Sequence, residues 1–294
     1  MLPPPDFAFL FRGLAILAAG GLLVAATAMA VSQVWALCAA LRHAPPPFLE
    51  AACRGRRLRC RLLALATSFG GYCAMGLTLP LGPLVGRAPR RMPRSGEPVV
   101  VCLHGLYHNP AAFLCFRPAL TRRGFGLVLC PGYFSLGTDF EAVAQALAAR
   151  LRAWLPPDAP LCFLGHSLGG LLARRLMAEG DFGRRTLACV TLGAPHGGSS
   201  LAVLAFGRLG RGLVPGGPVS RIVAALPDPP EVALLSLASP VDAMVAPLVG
   251  LAVGRPGWRE EATPAVSHLG MLWHPAVIAR AAGFLAAAVA RRQA

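Results

Sequence analysis

The stretch Leu161-Cys162-Phe163-Leu164-Gly165-His166-Ser167-Leu168-Gly169-Gly170 sets a serine between two glycines, after an apolar run and before an alanine- and leucine-rich helical pattern. This predicts a strand over 161–164 that turns sharply into a helix over 168–178. On such a turn the serine stands at the tip, the sequence form of a nucleophile elbow. Side chains two residues away on either side would collide with the crossing backbone, and Gly165 and Gly169 remove them. In a chain with 33 glycines the pattern also arises by chance, so its surroundings carry most of the weight.

Those surroundings are regular. From Pro98 onward, strands are expected at Val99–Leu103, 126–130, 161–164, 187–192 and 232–237, and helices at 111–123, Phe140–Trp154, 168–178 and 275–291. Uninterrupted apolar strands alternating with helices predict an α/β fold: a mostly parallel sheet with helices on both faces. At 294 residues and 55% hydrophobic, the chain is long enough for one large domain and a smaller appendage.

The appendage is the amino-terminal region, 1–95. Residues 13–41 hold no charged side chain, and as a helix they exceed the roughly 30 Å hydrocarbon core of a bilayer. They read as a transmembrane helix; a cleaved signal peptide is the competing reading, although its apolar core is usually only about 7–15 residues. Pro45-Pro46-Pro47 and the cluster Arg54, Arg56, Arg57, Arg59, Arg61 follow. A second apolar stretch, 62–85, can span, re-enter or lie in the interface. The arginine cluster belongs on the cytoplasmic side, so one span leaves the catalytic domain in the cytoplasm and two put it outside. The nine cysteines lie mostly in apolar runs without a CxxC pair. They read as reduced core residues and tilt the domain toward the cytoplasmic face of a bacterial inner membrane. Residues 87–97 form an arginine- and proline-rich linker into the catalytic domain, 96–294.

All 28 basic residues are arginine, and the net charge is +15. Without a reading helix or aromatic-interleaved basic module, this charge does not point to nucleic acid, and a membrane surface is the better sink for it.

Three further features join the elbow: Leu103-His104-Gly105-Leu106 at the end of the first strand, Thr191-Leu192-Gly193-Ala194-Pro195-His196-Gly197-Gly198 after a later one, and the order serine, aspartate, histidine along the chain. Together they resemble the α/β-hydrolase superfamily, in its bacterial lipase and esterase branch, over residues 98–294. The resemblance implies Ser167 as nucleophile, Asp242 as the acid beyond the strand at 232–237, and His268 as the base before the closing helix. A hydroxyl is nearly inert at neutral pH, so a histidine must take its proton and a carboxylate must hold that histidine's tautomer. Asp228, Glu231, Glu260 and Glu261 are rival acids. His274 and His196 are rival bases, with His274 also a natural cap for the last helix. The backbone N–H groups of Leu106 and Leu168 are the expected oxyanion donors. Tyr107 and His166 are expected beside the substrate, while His108 and Asn109 line the mouth or form a plain polar turn. Residues 199–230 form a cap or a surface loop. The expected activity is a membrane-anchored serine hydrolase of carboxylic esters, acting on acyl lipids without metal or organic cofactor. A thioesterase, an amidase and a noncatalytic lipid- or partner-binding protein remain alternatives.

Overall fold

The computed structural model describes the backbone of residues 7–94 and 96–293, with side-chain surroundings from Gly20 to Arg292. Residues 1–6, 95 and 294, at the limits of the two expected regions, lie outside the described residues. Six strands make one parallel sheet: β1 (Val99–Leu103), β2 (Leu127–Leu129), β3 (Leu161–His166), β4 (Thr186–Leu192), β5 (Ala233–Ala238) and β6 (Trp258–Ala262). Their spatial order is β2-β1-β3-β4-β5-β6. The helices are α1 (Phe7–Ala40), α2 (Pro47–Ala52), α3 (Arg57–Thr78), α4 (Gly82–Val85), α5 (Phe116–Thr121), α6 (Phe140–Trp154), α7 (Leu168–Met177), α8 (Gly180–Arg185), α9 (Gly207–Arg211), α10 (Pro218–Ala225) and α11 (Pro275–Gln293).

Side chains alternate across a strand, so each strand feeds two cores. Val99, Val101, Leu103, Leu161 and Phe163 pack with Val143 and Leu147 of α6 and Leu171 and Leu172 of α7. Val100, Cys102, Cys162 and Leu164 point the other way, toward Phe116 and Leu120 of α5 and Ile278 and Leu285 of α11. Each such leucine or phenylalanine contributes about 1.5–3 kcal/mol by leaving water. That two-sided demand is why the strands are apolar throughout. Helix α6 starts where Asp139 accepts the Ala142 N–H at 3.0 Å, and its Phe140, Val143, Leu147 and Leu151 make one buried stripe.

Besides short helices such as α8, two departures from expectation concern the sheet and its covering helices. The helix expected over 111–123 is divided into a 3₁₀ turn, Pro110–Phe113, and α5. Pro118 has no N–H to give to the carbonyl four residues back, which ends continuity there. Strand β6 was not expected, because Trp258-Arg259-Glu260-Glu261-Ala262 carries charge at three of five positions. As the sheet edge it has only β5 as a strand neighbour, and its charges have partners: Glu261 binds Arg280 at 2.7 Å, and Glu260 accepts the Val253 and Gly254 N–H groups at 3.0 Å.

The amino-terminal helices are docked on the sheet domain. Helix α1, at 34 residues, is about 51 Å long. It packs on α3, where Gln33 Nε2 donates to Ser68 Oγ at 3.1 Å. Both helices touch loops that follow strand carboxyl ends. Trp35 Nε1 donates to Ser200 Oγ at 2.8 Å, Tyr72 OH reaches Met244 Sδ at 3.3 Å and Gly71 abuts Leu269, while Gly82 at the start of α4 abuts Asn109. Away from these contacts α3 exposes Leu58, Leu62 and Leu77. The second apolar stretch is thus helical and lies along the sheet domain. One cysteine expectation is corrected: Cys53 and Cys60 are joined in a disulfide between the α2–α3 turn and α3, while the other seven are free thiols.

Candidate active site

Strands β2 and β3 both flank β1, so the winding direction reverses at β1, and the crevice outside these carboxyl ends is where an open parallel sheet binds ligand. Ser167 stands there at the end of β3. Its backbone has φ 54° and ψ −125°, a conformation that L side chains rarely adopt, held by its N–H donating to Leu192 O at 2.8 Å. The flanking glycines make the turn possible. A Cβ on Gly165 would overlap the Gly169 carbonyl, and one on Gly169 would overlap the Leu103 carbonyl.

Asp242, in the loop after β5, is buried. Its Oδ1 accepts the Met244 and Val245 N–H groups at 2.8 and 2.9 Å, which leaves Oδ2 facing His268 Nδ1 at 2.6 Å. Gly193, with φ 56°, lets the loop after β4 pass under this pair; a Cβ there would sit 3.1 Å from His268 Nδ1 and 3.2 Å from Asp242 Oδ2. The His268 loop is held from two sides. Ser267 N–H donates to Thr67 Oγ1 of α3 at 2.8 Å, and His166 Nε2 bonds the His268 carbonyl at 3.0 Å. With Nδ1 engaged by Asp242, Nε2 of His268 has no hydrogen-bond partner among the described residues. The structure therefore joins Asp242 to His268 directly, and the residue preceding Ser167 to the His268 backbone. The half-buried Ser167 hydroxyl makes no hydrogen bond to a described residue.

His166 is buried, its ring 4.6 Å from that of His268, and it packs beneath the serine. Burial, reinforced by the neighbouring histidines, pushes its pKa well below the ordinary value, so it is a neutral donor. His104 is stacked on Tyr133 at 4.1 Å and buried, which pushes its pKa down to about 3. His108 is also buried, with its pKa pushed down to about 4. Asn109 accepts the Ala111 N–H at 2.9 Å and caps the following turn, so this pair belongs to the polar turn. Tyr107 is the exposed member, at φ 55°, and its hydroxyl donates to the Phe206 carbonyl. The Tyr107 and His108 N–H groups have protein acceptors, Ser135 Oγ and Gly105 O, whereas the Leu106 N–H has none among the described residues. Leu168 opens α7, where first-turn N–H groups have no partner within the helix.

The rival residues are engaged elsewhere. Asp228 binds Arg174 at 3.3 Å and Arg255 at 2.9 Å, and Glu231 binds Arg292 on the surface. His196 lies between Arg174 and Thr191 Oγ1, and His274 Nδ1 accepts the Ala276 N–H at the start of α11. Within 199–230, Gly210 lies against Tyr107 and Leu106, while Leu209, Leu213 and Val223 join the α6–α7 core. Sequence reasoning missed Thr67. A threonine in an apolar helix carries no local signal that its hydroxyl serves a loop 200 residues away.

A parallel sheet with a strained serine at its switch point defines the α/β-hydrolase class. Residues 100–291 match the profile of the alpha/beta hydrolase family, and the chain belongs to that family. Among solved structures it is similar to a gene product of Listeria innocua, with 15% identity, 66% of this chain and 94% of that chain covered, and a TM-score of 0.49. It is also similar to a structure reported for the metagenome-derived lipolytic enzymes LipS and LipT, with 16% identity, 68% and 97% covered, and a TM-score of 0.49. The lipase BlEst2 of Bacillus licheniformis follows with 17% identity, 64% and 91% covered, and a TM-score of 0.47. A search of curated proteins finds no match.

Proposed function

We propose that the protein is a membrane-anchored serine hydrolase that cleaves carboxylic esters of acyl lipids through an acyl-Ser167 intermediate. The observation that carries this reading is the buried Asp242–His268 pair, closed at 2.6 Å and tied through His166 to a serine on a strained elbow. In the first step the Ser167 proton passes to His268 Nε2 while Oγ attacks the ester carbonyl. Asp242 stabilises the imidazolium that forms, and the Leu106 and Leu168 N–H groups receive the oxyanion. His268 then gives its proton to the departing alkoxide. Water attacks the acyl-serine by the same relay, releasing the fatty acid.

The apolar surroundings support a lipid substrate. Phe206, whose carbonyl accepts from Tyr107, is exposed, as are Phe134, Val203 and Leu204, and α3 exposes Leu58, Leu62 and Leu77. An apolar surface of this kind marks a lipid-facing side. The long α1 supplies the anchor.

A fluorophosphonate probe tests the chemistry. Wild-type protein is expected to label covalently and Ser167→Ala is not. Folded wild-type protein that does not label refutes the enzyme and favours a noncatalytic lipid-binding role.

A further inference from the structure

Between the helical hairpin and the loop that carries Asp242 lies a cavity of about 640 Å³. Its walls are apolar: Val34 and Leu37 from α1, Leu49 from α2, Leu65 from α3, and Val245 and Leu248 from the acid loop. Its rim is cationic. Arg54, Arg57 and Arg61 all line it, the last two a helical turn apart on one face of α3. None of the three forms an ion pair with a described residue, unlike Arg152, Arg174, Arg175 and Arg280, each of which holds a carboxylate. Glu50 is the one other acid on the lining, since Asp242 is engaged by His268. The cluster therefore keeps a cationic excess at the mouth of an apolar groove.

We propose that this groove is a binding site for an anionic phospholipid, with one acyl chain against the α1, α3 and acid-loop walls and its phosphate on Arg54, Arg57 and Arg61. The volume is in the range of a lipid or drug-sized ligand site. Guanidinium groups are matched to phosphate by their planar donor fork. A free inorganic anion would leave the apolar walls unused, whereas the two long apolar helices that frame the groove bring it to lipid. The sequence also supplies an internal control. Arg56 and Arg59 belong to the same basic cluster but do not line the cavity.

The site is tested in full-length Ser167→Ala protein, so that the result does not depend on ester turnover. The probes are phosphatidylglycerol and phosphatidylcholine, each with a photoreactive diazirine in one acyl chain, titrated in mixed micelles. Phosphatidylglycerol is expected to crosslink to residues 34–41 and 245–248 and to outcompete phosphatidylcholine. The triple variant Arg54→Gln/Arg57→Gln/Arg61→Gln is expected to raise its labelling midpoint about a hundredfold, from roughly 1 kcal/mol per arginine. The Arg56→Gln/Arg59→Gln variant is expected to stay within about threefold of its parent, and Leu65→Trp, which fills the groove, to abolish labelling there with every arginine intact. Equal labelling by the two lipids overturns the proposal, as does an equal loss in the Arg56/Arg59 variant. Displacement of the probe by millimolar inorganic phosphate alone would make the site a bare anion site and overturn it as well.

Discussion

Asp242→Asn separates the role of the carboxylate from its shape. Oδ1 accepts two backbone N–H groups, from Met244 and Val245, at 2.8 and 2.9 Å. In the asparagine variant the amide oxygen must stay on those donors, because the opposite orientation sets an NH₂ against two N–H groups. The NH₂ then faces His268 Nδ1, where Oδ2 now stands at 2.6 Å. Facing a donor, Nδ1 becomes an acceptor and the ring proton moves to Nε2, the nitrogen proposed to take the serine proton. A comparable change in a serine protease costs about 10⁴ in kcat, equivalent to about 5.4 kcal/mol at about 1.36 kcal/mol per decade. The assay is hydrolysis of a p-nitrophenyl ester by purified protein, with fluorophosphonate labelling and a thermal melt alongside. Expected are a kcat lower by three to four orders of magnitude, KM within a few fold, and a melting temperature little changed. A kcat within tenfold of wild type in a folded variant would refute the tautomer reasoning, and with it Asp242 as the partner of the base.

Other outcomes follow from the same geometry. His104 and His108 are held neutral by burial, with pKa values of about 3 and about 4 against about 6.5 unfolded, so between those limits the unfolded chain binds more protons and stability falls as pH drops. From pH 6.5 to 5 these two alone cost about 3 kcal/mol, and denaturant titrations that coincide at the two pH values would refute it. Gly169→Ala places a methyl group on the Leu103 carbonyl and is expected to abolish soluble expression; a folded, active alanine variant would contradict the strained turn. Thr67→Val removes the acceptor of the Ser267 N–H at nearly constant volume, with an expected loss of about 1–3 kcal/mol in stability. If α3 positions the histidine, kcat falls in Thr67→Val and recovers in Thr67→Ser, whereas unchanged kcat in both would reduce the contact to packing.

The elbow was legible because its requirement is local. Gly165 answers a clash with Gly169 four residues on, although Gly169 makes room for the distant Leu103 carbonyl, and the strand-to-helix change is written in the periodicity around them. The parallel sheet was legible for a related reason: a strand covered on both faces must be apolar at every position, as Val99–Leu103 is. Strand β6 was hidden because its edge position and its partners, Arg280 and two backbone N–H groups, let it carry charge. The proposed acid could be narrowed by order along the chain, but preferring Asp242 to Asp228 rests on which carboxylate meets an imidazole and which meets Arg174 and Arg255. Least legible was the docking of the hairpin. Composition marks α1 and α3 as apolar enough for a membrane, yet hydropathy averages over a helix and does not record that Thr67, Gly71 and Tyr72 lie on the face that meets the histidine and acid loops. By itself the sequence determined what each segment needs within its own span: burial, turning and an apolar phase. Only the tertiary structure decided which distant groups satisfy one another, because a hydrogen bond or an ion pair depends on a few ångströms of separation that spacing along the chain does not set.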